Sequence, residues 1–458
     1  MLRLGTTVRG AAMTTQHRPD GLSGLAELMS DERSVAVPID PAVRRARRRR
    51  GLLITALILA ILLAITGGYV GWALNAPLAA PTVTSQAPDV VAPGAAVVAF
   101  PSQGSAALSV SGADEYLGEA ASGIWATSGT DEARSIGSIS KLVTALVVLD
   151  AHPLGGPDDA GPTITFDKAD HDLYDAYYVR GATIAAMPTG SSLSLHDALA
   201  TMLIPSASNY AEAVATWAFG SQSGFVRATR DWLGAHGLAG TTIVEPTGID
   251  PRNTSTPADL IAIGKIAAAD PVLAQIAATR SLSLPGPGPM GNTNDLLGTA
   301  GITGLKTGNL GAGSYNLLFT ASLDVGTGTP LAVTGVVLGG MTHQSVNESV
   351  VGMLESLDAG FHDTWLADAD TAVGEFSTPW GATARMVLGE RASIFTWSDT
   401  PILVTMDTST PETYADGEVI GSVTWTAGPN TTTVPVVIEG DIAPPTAWWR
   451  LTHPGELG

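Results

Sequence analysis

The chain has 458 residues, enough for two or three domains, with 45% apolar residues and a net charge of −20. It contains no cysteine, which excludes a thiol nucleophile, cysteine zinc sites and disulfides but leaves the compartment open. Its eight histidines form no H-x-H or H-x-x-x-H pair, which disfavours a zinc hydrolase.

The charge is uneven. Up to Leu74 there are ten arginines against five acidic residues, a net of +5; from Asn75 onward thirteen basic residues face thirty-eight acidic ones, a net of −25. A body that acidic argues against a nucleic-acid partner. Residues 1–39 are polar and aperiodic and read as disordered, the start of a basic cytoplasmic tail over 1–50. The tail ends in Arg44-Arg45-Ala46-Arg47-Arg48-Arg49-Arg50, and residues 51–74 follow without one charge. As a helix that stretch spans roughly 35 Å, sufficient for a bilayer's apolar core. The arginine cluster predicts a cytoplasmic N-terminus and an extracytoplasmic body, with Tyr69 and Trp72 at the far interface. Two other readings stand beside this single-pass anchor. One is a signal peptide cleaved near Ala76-Pro77-Leu78-Ala79-Ala80. The other is a nucleic-acid-binding arginine run, against which its position next to an apolar span argues.

Residues 75–94, rich in Pro, Ala, Thr and Ser, read as an extended spacer. The next domain is expected over 95–368. Ala96–Phe100, Ala106–Val110 and Ile124–Ala126 look like strands. Ser138-Ile139-Ser140-Lys141 then opens the run Leu142–Leu149, apolar on every side and so expected as a central helix. Ser138 falls at its N-terminus, where free N–H groups favour a developing anion. Lys141, three residues on, shares that face. Burial would push its amine toward neutrality, giving a nucleophile with a base in reach. The chain holds four lysines (Lys141, Lys168, Lys265, Lys306), and only Lys141 has Ser three residues before it. A Ser cap followed by an exposed Lys is the plain alternative.

Farther on, Leu195–Ile204 has the helical period, Pro205-Ser206-Ala207-Ser208-Asn209 interrupts it, and Tyr210–Ala215 restarts it. Such a loop can present hydroxyls and amides, or simply turn between helices. Residues 223–238 read as an amphipathic helix, and Thr254–Leu260 as a helix start with Pro in its first turn. Gly301–Asn309 carries too much glycine for a helix and reads as an edge strand presenting Lys306 and Thr307, with Gly308 permitting close approach. Strands are expected at 315–323 and 331–338, and a closing helix over 345–365. Beyond about residue 369, short β-prone runs alternate with turns, predicting a separate β-rich domain to residue 458, a small sandwich. Trp448-Trp449-Arg450 reads as packing.

Together the three segments, S-x-x-K at 138–141, a Ser-centred loop at 206 and K-T-G at 306–308, resemble the set shared by penicillin-binding proteins and serine β-lactamases. The likeness, over about residues 95–365, is to the D-alanyl-D-alanine carboxypeptidases, which are serine peptidases. Met202–Ser206, Gly248-Ile249-Asp250, Ser255–Leu260 and Asn292-Thr293-Asn294 add to it. It implies an α/β (α+β) fold, an antiparallel sheet flanked by helices, with a β-sandwich after it; the single membrane helix read from residues 51–74 precedes it. It implies no cofactor, stem peptides of peptidoglycan as substrates, and β-lactams as inhibitors. The implied roles are Ser138 as nucleophile, Lys141 as base, Ser206 as proton relay and Lys306 as the cation near Ser206. Thr307 would bind the terminal carboxylate, and the N–H groups of Ser138 and Asn309 would form the oxyanion hole.

One departure stands out. The family's middle motif is Ser-x-Asn, whereas Ser206-Ala207-Ser208 has a hydroxyl in third place and the nearest amide at Asn209. Either Asn209 substitutes through a rearranged loop, or the enzyme is weakened. Two further readings follow: a non-catalytic relative that binds peptidoglycan or regulates wall enzymes, and a β-lactamase. The latter lacks an E-x-x-L-N context, because Glu245 is followed by Pro246-Thr247-Gly248-Ile249.

Overall fold

The computed structural model describes residues 40–458; the tail expected over 1–39 lies outside them. Two compact units divide the chain, one of residues up to 80 together with 444–458, the other of residues 81–443.

In the first unit a single helix, Pro41–Asn75, carries both the arginine cluster and the uncharged run, with Asp40 capping its start. By length and composition it is able to cross a bilayer. Its end is closed by the C-terminal segment. Arg450 donates to the carbonyls of Ala73 and Ala76, at 3.4 and 2.8 Å, and the Tyr69 hydroxyl to the Leu451 carbonyl, at 2.6 Å. A cation placed on the last carbonyls complements the negative end of the helix. Residues 444–458 therefore do not belong to the β-rich domain expected up to residue 458.

At the centre of the second unit lies a five-stranded antiparallel sheet, in the order Ile302–Asn309, Tyr315–Leu323, Leu331–Gly340, Ser105–Ser111, Ala126–Ser128. Both faces are covered, which is why its strands read as nearly continuous apolar runs. Leu318, Val336 and Leu338 face one core; Leu317, Phe319, Val333 and Val337 face the other. On the first face stand the helices Ser140–Ala151, Leu195–Leu203, Ser208–Phe219 and Pro257–Ala269; on the second lies His343–Ala359. Ten of the twelve residues in Ser140–Ala151 are buried, as an all-round apolar helix requires.

A six-stranded sheet and the pair Phe361–Ala367 with Ala392–Trp397 close over a third core around Trp425. The β-prone runs beyond residue 369 thus form a small sandwich within the same compact unit as the five-stranded sheet. Three local expectations are corrected. Residues 96–100 form no strand. The helix expected to run to residue 365 ends at Ala359, because Gly360 closes it against Trp397 and Phe361–Ala367 pairs as a strand. Within the spacer, Thr82–Ser85 pairs with Ala372–Ser377 at the edge of the six-stranded sheet. Side-chain alternation in a sheet decides the last two, and neither partner strand is visible from local period alone.

Candidate active site

Ser138 sits in the short turn Gly137–Ile139 that leads into the Ser140–Ala151 helix. The turn is pressed against the end of the Ile302–Asn309 strand. Gly137 has φ +54°, and a Cβ there would lie 2.8 Å from the Asn309 nitrogen. A Cβ at Gly308 would collide with the Ile136 carbonyl. What approaches Gly308 is thus the chain's own turn, and the two glycines bring the Ser138 and Asn309 segments together.

Lys141 is fully buried and donates to Ser138 Oγ at 2.9 Å and to the Thr247 carbonyl at 2.7 Å. Burial lowers its amine from the usual 10.5 to about 7, with Glu245 opposing the shift. Lys306, also buried, is held well below its ordinary range by desolvation and then by Lys141. It donates to Thr293 Oγ1 at 3.3 Å, and Thr293 Oγ1 lies 2.7 Å from Thr307 Oγ1. Ser206 bridges the two helices Leu195–Leu203 and Ser208–Phe219 in a left-handed conformation (φ +68°), and among the described residues its buried hydroxyl has no hydrogen-bond partner. A strained, unpartnered hydroxyl costs stability and is retained where surrounding packing holds it for another use.

A cleft of about 560 Å³ joins Ser138, Ser206, Ser208, Thr307 and Asn309. A slightly larger groove of about 610 Å³ beside Trp365 contains none of these groups. Asn209 does not line the cleft. Its amide is fully buried, donating to the Ala185 carbonyl at 2.8 Å and accepting from the Ala185 N–H at 3.1 Å. The substitution of Asn209 for the missing third-place amide is therefore not what the loop does; Ser208 occupies that wall of the cleft.

Sequence reasoning missed the loop behind the lysine. Glu245 accepts from the N–H groups of Thr247 and Gly248, and Asn253 ties Glu245 to Ser140 Oγ. A polar pair eight residues apart in a Gly/Pro-rich stretch was the available signal. Arg180, Asp295 and His343 also line the cleft, from loops and a helix start that carry no motif.

A serine hydroxyl bonded to a buried, easily neutralised amine, under the edge of an antiparallel sheet, is an arrangement able to supply a nucleophile and its base. The chain belongs to the D-alanyl-D-alanine carboxypeptidase family, whose model matches residues 109–342, about half of its length. A D-alanyl-D-alanine endopeptidase of Escherichia coli (strain K12) is 29% identical over 151 residues, covering 33% of this chain and 45% of the relative. The chain thus spans less than half of that relative's length. Among solved structures, penicillin binding protein 5 from Haemophilus influenzae is similar at 19% identity, 75% of this chain, 99% of its own and TM-score 0.49. The Streptomyces K15 DD-transpeptidase is similar at 23% identity, 59% of this chain, 98% of its own and TM-score 0.47.

Proposed function

We propose that the protein is a membrane-anchored serine D-Ala-D-Ala carboxypeptidase that removes the terminal D-alanine from peptidoglycan stem peptides and is acylated by β-lactams. The observation that carries this reading is the 2.9 Å bond between Lys141 Nζ and Ser138 Oγ, with the amine at about 7. Neutral Lys141 takes the Ser138 proton as Oγ attacks the carbonyl of the penultimate D-alanine. The N–H groups of Ser138 and Asn309 receive the oxyanion. The C–N bond then breaks, and Ser206 relays the proton held by Lys141 to the departing amine, leaving an ester on Ser138 and Lys141 neutral again. Water later cleaves that ester. Thr307 and Lys306 receive the terminal carboxylate, and that anion favours the charged form of an otherwise depressed Lys306. Gly308 and Asn309 shape the strand end, Ser208 contacts the peptide, and Asn209 acts from behind by holding the Ala185 segment.

The Pro41–Asn75 helix would anchor the chain, with its arginines cytoplasmic and the peptidase outside. The proposed divisions are a cytoplasmic tail (1–50), an anchor within Pro41–Asn75, a spacer, the peptidase, and a β-sandwich beginning with Phe361–Ala367. Two measurements on the full chain in detergent test the function, namely covalent labelling by fluorescent penicillin and D-alanine release from a synthetic stem pentapeptide. Stable labelling with release is expected. Rapid drug hydrolysis instead would make it a β-lactamase.

The buried Asn209 and the hydroxyl at 208 favour a second reading, a weak or inactive relative that binds peptidoglycan, for which both assays would be silent. Ser208→Asn separates a weakened enzyme from a fully active one. An amide on that wall is expected to raise D-alanine release ~10-fold, less than the ~10²–10³-fold worth of a whole donor because the hydroxyl already supplies part of it. An unchanged rate means that the hydroxyl suffices.

A further inference from the structure

Behind the site lies a buried carboxylate that the reaction above does not use. Glu245 is 7% exposed, and among the described residues no Lys or Arg forms a salt bridge with it. A buried charge in that state is costly unless polar groups surround it. Its own loop supplies them. The carboxylate accepts from the N–H groups of Gly248 at 2.6 Å, Thr247 at 2.7 Å and Asp250 at 3.3 Å, and from Asn253 Nδ2 at 3.1 Å.

This wrapping fixes the two carbonyls that meet the catalytic helix. Thr247 gives its N–H to Glu245 and its carbonyl to Lys141. The Pro246 carbonyl accepts from Thr144 Oγ1 at 2.8 Å, and Asn253 Nδ2 reaches Ser140 Oγ at 3.0 Å. We propose that Glu245 is the positioning residue for Lys141, folding residues 245–250 so that the Thr247 carbonyl holds the amine against Ser138 while the carboxylate sets a negative charge behind it.

The inference rests on the peptidase reading for its consequence, though not for its geometry. Burial alone would drive the amine lower, and Glu245 is the charge that holds it up near 7. The other charged groups around the amine are accounted for. Lys306 faces it from the Ile302–Asn309 strand and repels it. On the Ser208–Phe219 helix, Glu212 is engaged by the Tyr177 hydroxyl, and Asp250 is paired with Arg252. A carboxylate that merely folded the loop would affect the rate of acylation but not the proton affinity of the lysine.

The four lysines of the chain make a direct measurement practical. Full-length protein in detergent micelles, labelled with [ε-¹³C]lysine, gives four signals, assigned by Lys168→Arg, Lys265→Arg and Lys141→Met. In Glu245→Gln the Lys141 titration midpoint is expected about one pH unit below that of the parent, since an opposite charge nearby favours the ammonium by that order. The rising limb of acylation by fluorescent penicillin moves toward acid in step. Asn253→Ser, which loosens the loop and keeps the charge, is expected to slow acylation with the midpoint unmoved. An unmoved midpoint in folded Glu245→Gln overturns the proposal. If that variant does not fold, Glu245→Ala, which likewise removes the charge, is read by the same criterion. A parent that neither labels nor releases D-alanine defeats the peptidase reading and leaves the lysine titration fully readable.

Discussion

Ser138→Ala is expected to abolish covalent labelling by fluorescent penicillin and to lower D-alanine release ~10⁴-fold or more, because no ester can form. Lys141→Met is expected to slow acylation ~10²–10⁴-fold, the usual worth of a positioned base. The pair is informative because the two changes act differently on stability. Ser138→Ala removes one bond from Lys141 and leaves its bond to the Thr247 carbonyl, so melting changes little. Lys141→Met replaces a fully buried amine by an apolar chain of similar length. The unfolded lysine binds its proton near 10.5 and the folded one near 7. Between those values the unfolded chain holds more protons, so the stability of the parent rises with pH across that window. Below about pH 7 the folded amine must be charged, and its penalty is fully present. Lys141→Met is therefore expected to melt higher than the parent at neutral pH and to lose stability less steeply as pH falls from 10 to 7. Thermal melts of both variants across that window check it. The sign for catalysis is the same: the amine is a base only when neutral, so acylation by the parent should rise with pH through about 7.

That coupling of function to an unfavourable burial also explains how much of the site was legible beforehand. Ser138 and Lys141 share a face of a helix whose neighbours are all apolar, so spacing and composition alone place an amine beside a hydroxyl in a core. Ser206 and Lys306 could be named only because their motifs resemble a known set, since nothing local says that a loop and a strand far along the chain meet that helix. Most of the five-stranded sheet reads as strands because its runs are apolar on both faces, and Ile302–Asn309 because its glycines exclude a helix. Where one partner strand is remote, local pattern fails. Thr82–Ser85 looks like spacer until it pairs with Ala372–Ser377, and Phe361–Ala367 looks helical until Gly360 and Ala392–Trp397 claim it. The surroundings of Asn209 and Glu245 are hidden for a related reason. Whether a polar side chain faces a cleft or its own backbone is decided by loop geometry, and here Asn209 chose the Ala185 backbone and Glu245 its own turn.

Gly308→Ala carries the other large expected effect. The Ile302–Asn309 strand is in register with Tyr315–Leu323, with Gly308 opposite Asn316, so it cannot slide without breaking the ladder. Asn316 itself is tied to the Ser135 carbonyl at 3.0 Å and the Gly339 N–H at 2.9 Å. A methyl at 308 meets the Ile136 carbonyl, and the yielding element must be the Gly137–Ile139 turn or the strand end. Either movement separates the Ser138 nucleophile from the Asn309 N–H, and a displacement of about 1 Å in such a constellation costs about 10²-fold. Loss of one oxyanion donor is of the same order, ~10²–10³-fold. Acylation by fluorescent penicillin is therefore expected to fall by at least ~10²-fold. Gly291→Ala, where an added Cβ meets nothing within 4 Å, serves as control and should acylate like the parent. If Gly308→Ala acylates normally while folded, the proximity of the two segments is not what assembles the anion cradle, and the proposed roles of the Ser138 and Asn309 N–H groups fall with it.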